Sequence, residues 1–244
     1  MQTPMQTWVI NLDRSTARLD SFARINAGIM PIARFPAIDG QTLTREALVA
    51  ERIIDPALAY SPGALGCALS HANLWRHARA LGQPITVFED DAILHREFPR
   101  LAGELLGKAA DCYDLVLWGW NFDAVLLMDF LPGVSPALVT CDQTRMRGAT
   151  ETFQHSPIAP RLLPLHRAFG TVGYSVSPQG AETLLRACFP LAPLQVFFPG
   201  LNRAVPNTGI DIPMNMAYPS IRAFVSFPPL ALTRNEHSIS TVLP

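Results

Sequence analysis

Residues 61–91 read SPGALGCALSHANLWRHARALGQPITVFEDD and contain the most clearly delimited elements of the chain. Ser61 followed by proline is typical of the start of a helix, and Gly82 is typical of its end. The short apolar run at 84–88 predicts a buried strand, and three acidic residues end it abruptly. The stretch therefore predicts a helix over 62–81, followed by a strand that stops at carboxylates.

Short apolar runs bounded by polar or turn residues predict further buried strands along the chain. With the run just described, these strands lie at 8–12, 32–38, 84–88, 114–120 and 173–176. A predicted helix over 16–27 separates the first two strands, and Ser177 followed by proline opens another helix. A strand, a helix and a strand within the first forty residues indicate a βαβ unit, and hence an α/β domain with a parallel sheet.

Residues 121–168 differ in character from what precedes them. Five prolines interrupt this stretch, and its polar residues cluster at 142–156. We therefore expect it to be loop-rich, as binding loops and lids often are. No change in composition is sharp enough to divide the chain, so we expect a single domain over 1–244.

The composition excludes several classes of protein. The chain is 49% hydrophobic and 16% charged, which excludes extensive disorder. Its 19 basic and 20 acidic residues give a net charge of −1, so we expect no nucleic-acid partner. No run approaches the roughly 18 apolar residues of a transmembrane helix, and no signal-peptide pattern begins the sequence. The four cysteines are widely spaced and predict free thiols packed as small hydrophobic residues. The expected location is the cytoplasm, including the inner face of the membrane.

Glu89, Asp90 and Asp91 directly follow the strand predicted at 84–88. In an extended chain the first and third side chains point to the same side, so Glu89 and Asp91 could bind one cation while Asp90 points away or holds the backbone. Ligands of α/β proteins bind beyond the carboxyl ends of strands, and carboxylates suit Mg²⁺ or Mn²⁺. The alternative is a solvated acidic turn before a helix. The spacing leaves both interpretations open.

His71 and Asp211 are two further candidates. His71 lies on the apolar face of the predicted helix, where a histidine is more often a core residue than a ligand. Asp211 is a single acid between two isoleucines, so it must either cap a turn or have a function, and burial there would raise its pKa. The phosphate-binding, dinucleotide-binding, serine-hydrolase and zinc-protease motifs are absent from the sequence.

Three blocks of sequence carry a resemblance to a known family. They lie at 9–14, 18–19 and 35–40; at 63–71, 74–75 and 87–91; and at 170–171, 174–177 and 180–181. The second block begins GALGCALSH, which matches a G-x-x-G-C-x-x-S-H helix, and the acidic triplet follows at the same distance as in that family. The blocks resemble glycosyltransferase family 25, whose members build bacterial lipooligosaccharide and whose relatives galactosylate collagen. The resemblance is weak over 121–168.

This resemblance implies both a fold and a reaction. The fold would be a GT-A-type nucleotide-sugar-binding α/β domain, with a mixed, mostly parallel central sheet flanked by helices. The reaction would be an inverting transfer of a sugar, most often galactose from a UDP-sugar, to a glycan acceptor such as lipopolysaccharide or lipooligosaccharide. Residues 121–168 are expected to lie on the acceptor side.

The resemblance also implies roles for individual residues. Glu89 and Asp91 would hold Mn²⁺ or Mg²⁺, and Asp90 would contact the ribose or the water on the metal. Asp211 is the expected general base, and His71 is expected to act in the catalytic site. The residues expected at the nucleotide are Asn11, Asp13, Arg14, Arg18, Asp39, Gly40, Ser70 and Asp90.

Two other functions stay open from the sequence. One is a catalytically inactive module that keeps the fold and binds a glycan or a partner, and the other is a hydrolase of nucleotide sugars. The intact acidic triplet argues against the inactive module. The expected partners of a transferase are the UDP-sugar donor and the glycan acceptor, and a lipid-linked acceptor would bring the protein to a membrane surface. The oligomeric state does not follow from the sequence.

Overall fold

A computed structural model describes residues 5–109 and 112–235, and both ranges contain helices and strands. The elements of the first part are β1 (Gln6–Asn11), α1 (Thr16–Ile25), β2 (Ala33–Pro36), α2 (Arg45–Ala50), α3 (Pro62–Leu81), β3 (Ile85–Glu89), β4 (Ala92–Leu94) and α4 (Phe98–Ala109). Those of the second part are β5 (Leu115–Gly119), β6 (Val125–Leu131), β7 (Ser135–Thr140), α5 (Gln143–Arg147), α6 (Thr150–His155), β8 (Arg161–Arg167), β9 (Gly173–Val176), α7 (Pro178–Cys188), β10 (Gln195–Phe198), β11 (Arg203–Pro206), α8 (Asp211–Ala217), β12 (Ala223–Phe227) and β13 (Ala231–Thr233). In these two ranges no helix has both the length and the apolar composition that spanning a bilayer requires.

The central sheet is mixed, as the family resemblance implies, whereas the βαβ pattern alone predicts a parallel sheet. Among the described residues it has nine strands, in the order β2-β1-β3-β9-β5-β12-β8-β6-β7. β1 is parallel to β2 and β3, and β5 is parallel to β12. β9 is antiparallel to both of its neighbours, and the pairs from β12 to β7 are antiparallel as well. β9 is thus inverted between β3 and β5, which run in the same direction.

Helices cover both faces of the sheet, and β5 shows why its sequence is almost wholly apolar. Leu115 and Leu117 pack into the core that contains residues of α3, α7 and α8. Val116 and Trp118 point the opposite way, into the core that contains residues of α1 and α4. Successive side chains of a strand face opposite sides, so a strand covered twice needs apolar residues at every position.

Helix α3 packs backbone to backbone against the loop that follows β2. A Cβ atom on Gly66 would lie 2.5 Å from the carbonyl oxygen of Ile38 and 2.7 Å from the backbone nitrogen of Gly40. The Ser70 hydroxyl donates to the Gly66 carbonyl at 2.6 Å and accepts from the Ile38 amide at 2.8 Å. The helix has the predicted bounds, with Ser61 accepting from the Ala64 amide at its start.

The expectation that residues 121–168 are loop-rich is wrong. This stretch contributes β6, β7 and β8, which extend the sheet to its far edge, together with α5 and α6. Three of its five prolines lie in or beside these strands, at positions that a sheet tolerates. Pro132 lies in the turn between β6 and β7, Pro136 lies on the edge strand β7, and Pro164 lies beside the irregular pairing of β6 with β8.

The cysteines are free thiols, as the sequence predicts. Cys188 is buried, and Cys67 and Cys141 are half-buried, which fits small side chains in or near the core. Cys112 is exposed and is not packed.

We predict that Gly66→Ala destabilises the protein. Helix propensity alone would favour alanine by about 1 kcal/mol, but overpacking costs about 1–3 kcal/mol, and here the contacted atoms are backbone atoms that cannot rotate away. We therefore expect a net loss of about 1 kcal/mol or more in the free energy of unfolding, measured by urea denaturation. Gly148→Ala is the control, because a Cβ atom there meets its nearest neighbour at 3.7 Å. A Gly66 variant as stable as the parent would contradict the backbone contact.

Candidate active site

A cleft of about 320 Å³ opens at the carboxyl ends of β1 and β3. These strands are parallel and Ile10 lies opposite Glu89, so both end at the same edge of the sheet. β9 runs in the opposite direction, which brings the residues before it back to this edge. The Glu89 amide accordingly donates to the Val172 carbonyl at 3.1 Å, and the neighbouring Thr171 lines the cleft.

The cleft brings together all but one of the residues proposed from the sequence. Those that line it are Asn11, Arg14, Arg18, Asp39, Gly40, Ser70, His71, Glu89, Asp90, Asp91 and Asp211. Asp13 is not in the lining, because its side chain is 83% exposed and pairs with Arg34.

Sequence reasoning did not name several other residues of the lining. They are Asn121, Thr208, Thr233 and Asn235. Thr171, which belongs to a block that carries the family resemblance, lines the cleft as well. Asn121 directly follows the strand predicted at 114–120, so the rule that drew attention to the acidic triplet applies to it as well. Thr208, Thr233 and Asn235 follow no strand end that the sequence predicts, and the sequence holds no comparable signal for them.

Asp90 is held inside the protein. Asn11 donates to it at 2.7 Å, and Arg18 Nε donates to it at 2.8 Å. The Asn11 amide also donates to the Ser15 carbonyl at 3.0 Å and accepts from Arg34 Nε at 3.1 Å. Asn11 is 2% exposed, so its amide is occupied by these contacts and serves to fix Asp90.

Glu89 and Asp91 have fewer partners than Asp90. Glu89 accepts a hydrogen bond from the Thr171 hydroxyl, and Asp91 Oδ2 lies 3.4 Å from Arg18. Asp91 Oδ1 is buried and has no hydrogen-bond partner among the described residues. Burial and the charge of Asp91 raise the pKa of Glu89 to about 8, and burial raises the pKa of Asp91 as well. The groups around Glu89 and Asp91 therefore compensate the ionised form of these carboxyls poorly.

The donor set of Glu89 and Asp91 fits a hard divalent cation that shares its ligands with a substrate. In residues 5–109 and 112–235, no group of three or more His, Cys, Asp or Glu side chains is arranged to hold a metal by itself. Mg²⁺, however, is commonly bound by one or two carboxylates together with water and substrate phosphates. Glu89 and Asp91, with the orphan oxygen of Asp91, provide that smaller set.

His71 lines the cleft but is almost completely buried, with 1% exposure. Its Nδ1 atom lies 2.8 Å from the Tyr174 hydroxyl, and its Nε2 atom lies 3.4 Å from the Thr171 hydroxyl. Nε2 is also 3.9 Å from Glu89 Oε1. Burial lowers the pKa of His71 to about 4, so the imidazole is neutral at physiological pH.

Asp211 lies at the start of α8, in the same cleft. The Gly170 amide donates to Asp211 Oδ2 at 2.9 Å, and burial raises the pKa of this carboxyl. Gly170 has a φ of +85°, and a Cβ atom on it would lie 2.3 Å from Asn121 Oδ1. Glycine at this position therefore lets the Asn121 side chain and the Asp211 carboxylate approach the same peptide.

Arg14 and Asp39 form a more exposed part of the lining. Arg14 Nε donates to Asp39 Oδ2 at 2.6 Å, and the other oxygen of Asp39 accepts from the Gln41 amide at 3.0 Å. The hydrogen bond from Arg14 holds the pKa of Asp39 below its usual value. The ion pair thus fixes the turn that leads into Gly40.

Comparison with known proteins identifies the family. The family model described as "Glycosyltransferase family 25 (LPS biosynthesis protein)" matches residues 5–196. The chain belongs to glycosyltransferase family 25. The resemblance stated from the sequence is thereby confirmed. The matched range includes the acidic triplet and His71 but ends before Asp211.

Curated relatives carry the same family name. A glycosyltransferase 25 family member of Drosophila melanogaster is 27% identical over 214 residues, which cover 82% of this chain and 31% of the relative. One of Anopheles gambiae is 25% identical over 194 residues, which cover 73% of this chain and 28% of the relative. The family 25 chain described here thus spans about a third of the length of the curated relatives it matches.

One similar solved structure is much more distant. It is the crystal structure of mannose-1-phosphate geranyltransferase from Thermus thermophilus, with a TM-score of 0.38 and 11% sequence identity. The match covers 95% of this chain and 75% of that one. A likeness this weak supports no conclusion about the family 25 chain.

We predict that Glu89 makes the protein less stable as the pH rises. An acid whose pKa is higher in the folded chain than in the unfolded chain binds its proton more tightly when folded. Its stabilising contribution is complete below the unfolded pKa of 4.5 and is lost as the pH rises towards about 8. Glu89→Gln removes this effect. Relative to the parent, the variant should gain about 1 kcal/mol or more in free energy of unfolding between pH 5 and pH 8.

The measurement is urea denaturation at several pH values, with a chelator present to remove divalent cations. Glu104→Gln, on the exposed side of α4, is the control and should follow the parent at every pH. Parallel pH profiles for the parent and the Glu89 variant would show that the pKa of Glu89 is not raised.

Proposed function

We propose that this chain transfers a sugar from a nucleotide-sugar donor to a glycan acceptor, on a GT-A-type nucleotide-sugar-binding domain. The observation that carries the proposal is the pair of poorly compensated carboxylates, Glu89 and Asp91, in a cleft at the carboxyl ends of parallel strands. Membership of glycosyltransferase family 25 supports it. UDP-galactose is our first candidate for the donor. The family description names lipopolysaccharide biosynthesis, so lipopolysaccharide or lipooligosaccharide is our candidate for the acceptor.

The nucleotide would lie along the part of the cleft formed by the end of β1 and the turn after β2. Arg14 is half-exposed there, with 53% of its side chain accessible, so its guanidinium can also meet a ligand. Gly40 and Gln41 line the same wall. Asn11 and Ser70, whose polar atoms are already hydrogen-bonded within the protein, would shape this wall and would not bind the nucleotide directly.

Glu89 and Asp91 would hold Mn²⁺ or Mg²⁺ next to the diphosphate. When bound, such a cation neutralises the negative charge that develops on the departing diphosphate. The protein itself keeps both carboxylates at this position. Asn11 and Arg18 bind Asp90, which fixes the backbone between Glu89 and Asp91.

Asp211 is our candidate for the general base of a single, inverting displacement. The acceptor oxygen would form a bond to the anomeric carbon while the bond from that carbon to the diphosphate oxygen breaks. The proton of the acceptor hydroxyl would pass to Asp211 Oδ1, because Oδ2 accepts from the Gly170 amide. The raised pKa of Asp211 favours its taking up a proton.

The acceptor would approach from the side of Asn121 and Asp211. Asn121 follows β5, and residues 121–168 continue from it into the β6–β8 part of the sheet, so we propose that this stretch lies on the acceptor side. A lipid-linked acceptor would place the reaction at a membrane surface facing the cytoplasm.

Product analysis separates this proposal from its alternatives. The protein would be incubated with radiolabelled UDP-galactose and Mn²⁺, with and without a lipooligosaccharide acceptor. Sugar transfer that needs the acceptor supports the transferase, whereas free galactose without acceptor supports a nucleotide-sugar hydrolase. Thermal stabilisation by the donor without either product would indicate an inactive binding module; a ligand at a hundredfold excess over its Kd stabilises the folded state by about 2.7 kcal/mol.

We predict that Asp91→Asn abolishes Mn²⁺-dependent binding of UDP while the fold remains intact. The substitution keeps the shape of the side chain and removes the charge that the cation would neutralise. Binding is measured by isothermal titration calorimetry, and folding by the thermal transition. Asp20→Asn, on the exposed face of α1, is the control. If the Asp91 variant binds UDP and Mn²⁺ as the parent does, the acidic triplet is not the metal site.

We predict that Asp211→Asn lowers turnover by about 10²–10⁴-fold, the usual contribution of general-base catalysis, with donor affinity nearly unchanged. Asparagine can still accept from the Gly170 amide, so the local structure should persist. The control is Asp142→Asn, at an exposed helix start outside the cleft, where asparagine also caps well. A loss of donor binding together with turnover would show that Asp211 holds the donor or the structure, and a loss of only a few-fold would show that it is not the base.

A further inference from the structure

A row of hydrogen bonds runs from the core of the protein to Glu89. Trp75 Nε1 donates to the Tyr174 hydroxyl at 3.0 Å, and that hydroxyl lies 2.8 Å from His71 Nδ1. His71 Nε2 lies 3.4 Å from the Thr171 hydroxyl, which donates to Glu89 Oε1. Trp75 and Tyr174 are fully buried, and His71 is nearly so.

The indole of Trp75 fixes the direction of the hydrogen bonds in this row. The indole of Trp75 can only donate, so the Tyr174 hydroxyl accepts from it. The proton of that hydroxyl is then available for a hydrogen bond to another acceptor. Among the described residues, His71 Nδ1 is the acceptor within reach of that proton. The proton of a neutral His71 is then on Nε2, where it points to the Thr171 oxygen, and the Thr171 hydroxyl donates in turn to Glu89.

We propose that Trp75, Tyr174, His71 and Thr171 form a directional hydrogen-bond chain that positions the Glu89 carboxylate. In this assignment His71 is a positioning residue, since it reaches Glu89 through Thr171. The hydrogen-bond chain holds Glu89 Oε1 as an acceptor. It thereby fixes the direction in which the other oxygen of Glu89 faces the cleft. This role rests on the proposed function, because an oriented carboxylate matters most if Glu89 binds a cation next to the donor.

The anchor of this chain lies in the most constrained part of the fold. Tyr174 is in β9, opposite Val87 of β3 on one side and Leu117 of β5 on the other. His71 and Trp75 lie one turn apart on α3. The hydrogen bonds therefore connect β9, α3 and the end of β3.

The tautomer of His71 tests the direction of the chain. We expect ¹⁵N nuclear magnetic resonance of the full chain, without added ligand, to show His71 protonated on Nε2 and unprotonated on Nδ1. His71→Gln identifies the signal. A proton on Nδ1, or a mixture of the two tautomers, would overturn the proposal. This measurement does not depend on catalysis or on metal binding, so its outcome is independent of the proposed function.

Three variants test the positioning role. Tyr174→Phe removes the proton that His71 Nδ1 accepts, and Thr171→Val removes the last hydroxyl while keeping its shape. Loss of a group that orients a metal ligand typically lowers metal affinity 10–100-fold, so we expect Mn²⁺ affinity, titrated in the presence of UDP, to fall by about this factor in both variants. Thr171→Ser keeps the hydroxyl and should retain most of the affinity.

Tyr113→Phe is the matched control for a buried tyrosine, because Tyr113 is 5% exposed and packs in the other core, on the α4 side. Unchanged Mn²⁺ affinity in Tyr174→Phe and Thr171→Val would overturn the positioning role. So would a loss in Tyr113→Phe as large as that in Tyr174→Phe, because it would trace the effect to general destabilisation. If the parent itself binds no Mn²⁺, the proposed function fails, and the tautomer of His71 alone then decides whether the directional chain exists.

Discussion

Asp90 accepts hydrogen bonds from Asn11, at the end of β1, and from Arg18, in α1, and the arrangement of the cleft depends on these contacts. These hydrogen bonds fix the acidic triplet at the end of β3 through its middle residue, Asp90. The residues on either side, Glu89 and Asp91, are then left with few partners of their own. A single charged network inside the protein thus determines which carboxylates of the triplet are available to a ligand.

Helix α3 connects this network to the rest of the cleft. Near its start, Gly66 and Ser70 hold the loop after β2 against the helix, on the side where we place the nucleotide. His71, which follows Ser70 directly, and Trp75, one turn later, contact Tyr174 of β9. The motif that is most specific in the sequence therefore combines two structural tasks on one helix.

Much of this site could be predicted from the sequence because local patterns determine it. Strand ends, helix caps and the acidic triplet are each defined by a few neighbouring residues, and α3 has the predicted bounds. The contact of Thr171 with Glu89 could not be predicted in the same way, since the two residues are 82 positions apart and meet only because β9 is antiparallel to β3. Asp13 shows that a position after a strand end does not by itself place a side chain in the cleft. It follows the end of β1 closely, but its side chain turns outward to Arg34.

The proline on β7 has a consequence beyond the fold of a single molecule. β7 is the last strand of the sheet. Val134, in the turn that leads into it, is 80% exposed to solvent. An open, apolar edge strand presents backbone donors that a second chain can pair with, and such pairing leads to aggregation. Pro136 removes one of those donors. The residue that makes this stretch look like a loop in the sequence thereby helps to keep neighbouring copies from joining their sheets.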